Sequence, residues 1–269
     1  MARLGVASAW FAESPTLKAH GAIDSLKSTS GRIECVAGAM SLKIVNNTNF
    51  RPVIKRMDTH FKNGGKVLLL DFDRVLGNSD AANATSILML MEEYCLKPRN
   101  MTAKKFLDMC SGISAREILL GLSPNLRHEP ALLDEMLGRL AKIAATNVHM
   151  IEKTPIAADY LPEVKDKWKG AQIVLNTNRK KIALQPALDH LAMHGLFDHV
   201  LYQSRIMPPK PASDMFMWSM KLTKSEPEKA LLIDDNITCI IAARLLGIPA
   251  KQVIWKADAS GFSLKRLLG

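Results

Sequence analysis

The 269-residue chain has no long apolar run: charge, Pro or Gly interrupts every hydrophobic block well before the ~18 to 20 residues needed to cross a bilayer. A membrane-spanning helix is therefore not expected. Cysteine is scarce, with Cys35, Cys95, Cys110 and Cys239 far apart, no CxxC pair and no cluster of His. That spacing argues against a zinc site or a redox dithiol and fits a reduced compartment. Aromatic residues make up 6% of the chain, and no basic stretch is interleaved with them. Nucleic acid is thus not an expected partner, although Lys+Arg 36 against Asp+Glu 26 gives a net charge of +10. With 48% hydrophobic residues the chain has the composition of a globular protein of one or two domains, not of a disordered one.

The excess charge is uneven. Residues 1–65 hold nine Lys/Arg and four Asp/Glu, are rich in Ser, Ala, Gly and Asn, and show only short apolar segments such as Ile33 to Leu42. They read as an N-terminal extension without the basic and apolar regions of a secretory signal. Glu13, Asp24 and Glu34 count against an organelle transit peptide, so the cytoplasm is the expected compartment, with organelle targeting by the extension left open.

From Lys66 the pattern sharpens. The runs Val67 to Leu70, Ile173 to Leu175, Val200 to Tyr202, Leu231 to Ile233 and Val253 to Trp255 read as buried parallel strands. Helical patterns lie between them at Tyr160 to Trp168, Lys180 to Met193, Asp214 to Leu222 and Thr238 to Leu246. The expected fold is α/β, a Rossmann-like parallel sheet flanked by helices, with residues 66–79 and 151–269 as its core. Residues 80–150 carry helical patterns alone (Ala81 to Tyr94, Thr102 to Met109, Ser114 to Leu120, Pro130 to Ala145). They are expected to form an inserted all-helical cap over the carboxyl edge of the sheet, where open α/β folds bind ligands.

Candidate chemistry follows the strand ends. Asp71 and Asp73 are two residues apart after Val67 to Leu70, so both carboxylates can face one ligand. Asp234 and Asp235 follow Leu231 to Ile233. Four carboxylates at two strand ends are costly to gather unless a hard cation compensates them, and an oxygen-only donor set suits Mg²⁺. Taken alone, either pair is also what a polar strand end or a helix cap looks like. Thr177 and Asn178 after Ile173 to Leu175, and Lys210 among prolines, supply the hydroxyl and fixed ammonium that a transferring phosphoryl group needs.

The order and spacing of these elements resemble the haloacid dehalogenase-like hydrolases, in the branch of phosphoglycolate phosphatase and β-phosphoglucomutase, over roughly residues 66–260. Asp71-Phe72-Asp73-Arg74-Val75-Leu76 is similar to the first family motif and Thr177-Asn178 to the second. Lys210-Pro211 with Asp214 resembles the third, and Ile233-Asp234-Asp235 with Ala242-Ala243 and Gly247 the fourth. In the helical insert, Gly112-Ile113-Ser114-Ala115-Arg116 resembles the segment that reaches toward substrate in related enzymes.

The resemblance implies a Mg²⁺-dependent phosphatase of a small phosphorylated metabolite. Asp71 would be the nucleophile that forms an aspartyl-phosphate, and Asp73 the general acid and base. Mg²⁺ would be held by Asp71, the carbonyl of Asp73 and Asp235, with Asp234 assisting, while Thr177 and Lys210 bind phosphoryl oxygens beside Asn178. Arg74, where the family usually has Gly, is a candidate substrate-binding cation, as is Arg116. Cys239 stands where relatives usually carry Asp or Asn near the metal. The alternatives are a sugar-phosphate mutase of the same family and a catalytically silent member that binds a phosphorylated ligand or partner. The expected assembly is a monomer or weak homodimer with no membrane partner.

Overall fold

The computed structural model describes residues 49–97, 101–110 and 114–254, with only the backbone for 108–110. Five strands form one parallel sheet: β1 (Val67–Leu70), β4 (Gln172–Lys180), β5 (His199–Gln203), β6 (Ala230–Asp234) and β7 (Ala250–Gln252), in the order β5-β4-β1-β6-β7. Every side chain of β1 and β6 is buried, as expected of strands covered on both faces. Alternation then divides the core in two. Leu68, Leu70, Ile173, Leu175, Leu231 and Ile233 pack on one face, and Val67, Leu69, Val174 and Leu232 on the other.

The first face is covered by α1 (Arg51–Lys62), α6 (Leu161–Lys167) and α7 (Lys181–His190), the second by α8 (Asp214–Thr223) and α9 (Ile237–Leu245). Helix α1 corrects the expected extension. Val53, Met57 and Phe61 recur at a spacing of four residues and sink into the cluster formed by β1, β4 and β6, so the core begins by Phe50 and not at Lys66. Residues 1–48 lie outside the described residues, as do 255–269. The last strand is Ala250–Gln252, slightly upstream of the expected Val253 to Trp255.

The insertion holds α2 (Asp80–Glu93), α3 (Ala103–Cys110), α4 (Ala115–Leu122) and α5 (Pro130–Thr146), which bury two apolar clusters of their own. Glu117, a residue whose charge alone suggests surface decoration, closes a reciprocal capping box with Ser114 at the start of α4. Two short strands missed in the sequence, β2 (Gly77–Asn78) and β3 (Glu152–Lys153), pair antiparallel where the chain enters and leaves the insertion.

Register sets the heights of the strand ends. Leu70 pairs with both Leu175 and Ile233, so Asp71, Asn176 and Asp234 emerge level on three adjacent strands. The amide of Asp71 donates to the carbonyl of Ile233 at 3.0 Å and extends that ladder by one residue. The chain reverses direction across the sheet at β1, and such a switch point opens a crevice at the carboxyl ends of the strands.

Candidate active site

Three carboxylates and one ammonium occupy this crevice. Asp71, Asp234 and Asp235 each offer an oxygen, and these oxygens lie within 4.8 Å of one another. The loop after β5 brings Lys210 among them, and its Nζ donates to Asp71 Oδ1 at 2.8 Å and to Asp234 Oδ2 at 2.6 Å. The lysine side chain is 2% exposed, so its charge is taken from water only because two carboxylates replace the solvent. Asp234 Oδ1 also accepts the amide of Asn236 at 2.8 Å. The acidic pair does not cap α9, because Asn236 does so through Thr238.

Burial and negative neighbours dominate the titration of the cluster. Burial pushes Asp71 well above the usual carboxylate range, and Asp234, Asp73 and Asp235 add to that push against Lys210. Burial and the adjacent Asp234 raise Asp235 to about 7, with Arg74 opposing. Lys210 moves upward: burial alone would lower it, and Asp234 and Asp71 outweigh that. Three carboxylates thus face two cations, Lys210 within the cluster and Arg74 at its edge.

Asp73 is held differently. Arg179 Nη2 reaches its Oδ1 at 2.6 Å, Ser79 Oγ donates to the same oxygen at 2.5 Å and Asn83 Nδ2 at 3.3 Å. Burial would raise Asp73, but the Arg179 guanidinium and these donors keep it below the usual range. Asn83 lies on the first helix of the insertion and Ser79 directly before it, where the Ser79 side chain makes no capping bond to α2. The core carboxylate is thereby tied to that segment. Neither Arg179 nor these two partners was singled out in the sequence.

Thr177 is fully buried at the end of β4, and its Oγ1 accepts the amide of Arg179 at 3.1 Å. The hydroxyl proton is left to donate elsewhere. Asn178 turns its amide onto the backbone of Lys210, so the structure uses it to brace that loop.

A family model described as haloacid dehalogenase-like hydrolase matches residues 68–253. The chain belongs to this family. Among the curated proteins it is similar to a phosphoglycolate phosphatase of Aquifex aeolicus, 24% identical over 198 residues that span 71% of this chain and 85% of that one. Among solved structures it is similar to a haloacid dehalogenase-like hydrolase from Bacteroides fragilis, with a TM-score of 0.59 at 18% identity, covering 70% of this chain and 87% of the other. It is also similar to CbbY from Rhodobacter sphaeroides in complex with phosphate, with a TM-score of 0.56 at 15% identity, covering 69% and 84%. At these identities the structures establish the fold.

Two departures from the haloacid dehalogenase-like pattern take physical form. Arg74 adopts φ of 62°, the left-handed conformation that suits the glycine usual there. Its side chain is nearly buried, with Nη1 3.4 Å from Asp235 Oδ2 and Nε 3.4 Å from Asp80 Oδ1. Cys239 is buried in the apolar cluster beneath α9, and burial pushes its thiol up, so it stays neutral. Arg116 stands exposed on α4, pairs with Asp134 of α5 at 3.6 Å, and is not among the residues gathered in the crevice. Gly112 and Ile113 lie outside the described residues.

Proposed function

We propose that this haloacid dehalogenase-like hydrolase is a Mg²⁺-dependent phosphatase that removes phosphate from a small phosphorylated metabolite through an aspartyl-phosphate on Asp71. The observation that carries the reading is the buried contact of Lys210 with both Asp71 and Asp234 on two strand ends. It fixes one oxygen of the nucleophile and leaves the other to attack.

The donor set fits a divalent cation. Three carboxylates within 4.8 Å, two of them pushed up by burial and mutual repulsion, are what a hard oxygen-seeking ion relieves. Asp71, Asp235 and the carbonyl of Asp73 would hold Mg²⁺, with Asp234 assisting from its place on Lys210. When bound, the ion supplies charge neutralisation on the phosphoryl oxygens and on the nucleophile.

Asp71 Oδ2 attacks phosphorus, the bond to the leaving oxygen breaks, and Asp73 gives that oxygen its proton. Asp73 then takes a proton from water as the water attacks the aspartyl-phosphate, which returns Asp71 and frees inorganic phosphate. Thr177 donates its hydroxyl proton to an equatorial phosphoryl oxygen, and Lys210 offers its charge to the same group. The helices of residues 80–150 act as the cap that excludes bulk water, and Asn83 and Ser79 register its position at Asp73. The assembly is a monomer or weak homodimer in the cytoplasm. Among the described residues no helix is long and apolar enough to cross a membrane.

The test is release of inorganic phosphate from an aryl phosphate and from a metabolite panel headed by phosphoglycolate, for which the curated relative is named. Turnover with Mg²⁺ that is lost with chelator and in Asp71→Asn is expected. Turnover in Asp71→Asn close to that of the unaltered protein would remove Asp71 as nucleophile.

A further inference from the structure

Arg74 carries a role that the reaction above does not use. The backbone turn after Asp73 places it with φ of 62°, and its amide donates to Gly77 at 2.7 Å, so the turn fixes where the side chain leaves the loop. The guanidinium stands between two carboxylates of different parts of the fold. Asp235 belongs to the acidic cluster, and Asp80 is the first residue of α2, at the root of the insertion. Both contacts are 3.4 Å, so the guanidinium stands equally near the two carboxylates.

We propose that Arg74 is a built-in competitor for the divalent cation: a positioning residue that shares Asp235 with the metal, loosens its binding, and passes to Asp80 when the metal takes Asp235. This rests on the reading that the acidic cluster takes Mg²⁺. Two influences oppose each other. A positive charge eases repulsion among Asp71, Asp234 and Asp235, which favours their ionised form. The same charge lies against one prospective ligand, where it repels a dication and occupies one of the two oxygens of that carboxylate. Lys210 already neutralises Asp71 and Asp234 from within 2.8 Å. The repulsion therefore outweighs the relief, because a dication meets a nearby fixed charge with twice the force that a proton does.

Asp80 gives the idea a second handle. As the alternative partner of the guanidinium, it draws Arg74 off Asp235, so the two residues act on the metal in opposite directions. Simple loosening of the loop would shift both variants the same way.

The experiment is binding of Mn²⁺ to the full chain, followed by electron paramagnetic resonance of the free ion at pH 8, for the unaltered protein, Arg74→Gly and Asp80→Asn. Glycine accepts the left-handed backbone at position 74, so that variant is expected to fold, and its thermal midpoint checks this. Arg74→Gly is expected to bind Mn²⁺ about tenfold or more tightly, because the like charge that faces the dication at Asp235 is gone, and Asp80→Asn several-fold more weakly, because the guanidinium then stays on Asp235. Mn²⁺ binding by the unaltered protein with equal or weaker binding by Arg74→Gly overturns the role of Arg74 and leaves the metal reading standing. Absence of Mn²⁺ binding in both proteins overturns the metal reading, and this role with it.

Discussion

Asn178 grips Lys210 by the backbone at both ends of one residue: its Oδ1 accepts the Lys210 amide at 2.6 Å and its Nδ2 donates to the Lys210 carbonyl at 2.9 Å. The two residues are 32 apart in sequence, on β4 and on the loop after β5. A side-chain amide can satisfy a backbone amide and carbonyl together, which an aspartate at the same place cannot do because it has no donor. The buried ammonium is therefore aimed from β4.

That bracing predicts the behaviour of Asn178→Ala. Lys210 should lose its fixed position, and kcat for phosphate release should fall by roughly 10²-fold, the cost typical of a misplaced catalytic group. Asn178→Asp should fall less, since it keeps the acceptor. Steady-state kinetics with unchanged kcat in Asn178→Ala would show that the loop holds itself.

Arg179 lowers Asp73, and the proposed general acid must carry a proton to act. With Arg179→Met the carboxyl should rise, because burial is then opposed only by the Ser79 and Asn83 donors. The basic limb of the kcat/KM profile should accordingly move to higher pH. A pH–rate profile that keeps its limbs in this variant would detach Asp73 from the acid role.

Stability of the chelated protein should depend on pH through Asp235. Its folded value of about 7 exceeds the unfolded value near ~4, so the folded state binds the extra proton. The contribution is complete below about pH 4 and is lost as pH rises through about 7. His60 acts with the opposite sign, since burial lowers it and its contribution fades as pH falls below the unfolded value near ~6.5. The clean comparison is with Asp235→Asn: relative to that variant, the unaltered protein should lose thermal stability between pH 4 and 7. Parallel curves for the two would contradict the raised value.

Met57 tests whether α1 belongs to the core. It is fully buried against the sheet, and Met57→Ala should cost about 2–5 kcal/mol in urea unfolding. A change within ~0.5 kcal/mol would restore residues 50–62 to the status of an appendage.

Much of the architecture was legible because parallel strands buried on both faces leave unbroken apolar runs such as Val67 to Leu70 and Leu231 to Ile233, and the acids follow them directly. Helix α1 was missed although Val53, Met57 and Phe61 keep helical spacing, because the polar residues between them give a low overall hydropathy. Arg179 was missed for another reason. It lies two residues beyond Thr177 and so shares its side of the strand, but it falls between the apolar run Ile173 to Leu175 and the helical pattern from Lys180, in a stretch with no apolar residue to mark it as strand. The pairing of β4 with β5 shifts between Thr177 and Lys180, and this irregularity, invisible in composition, accompanies the turn of the guanidinium onto Asp73. The partners Ser79 and Asn83 were hidden because nothing in a sequence says which small polar side chains fold back on an upstream acid.

The antiparallel pairing of β2 with β3 ties together the two passages of the chain between sheet and helices. Gly77 sits so close to Phe72 and Ile151 that an added methyl would meet Ile151 at 2.9 Å, so this double neck is also tightly seated. The insertion is fastened there and again where α5 packs against α7 of the core, so it meets the sheet domain at two separate places. Because its entry and exit strands run side by side, the chain departs for the helices and comes back at one spot, and the five parallel strands keep their spacing across the interruption.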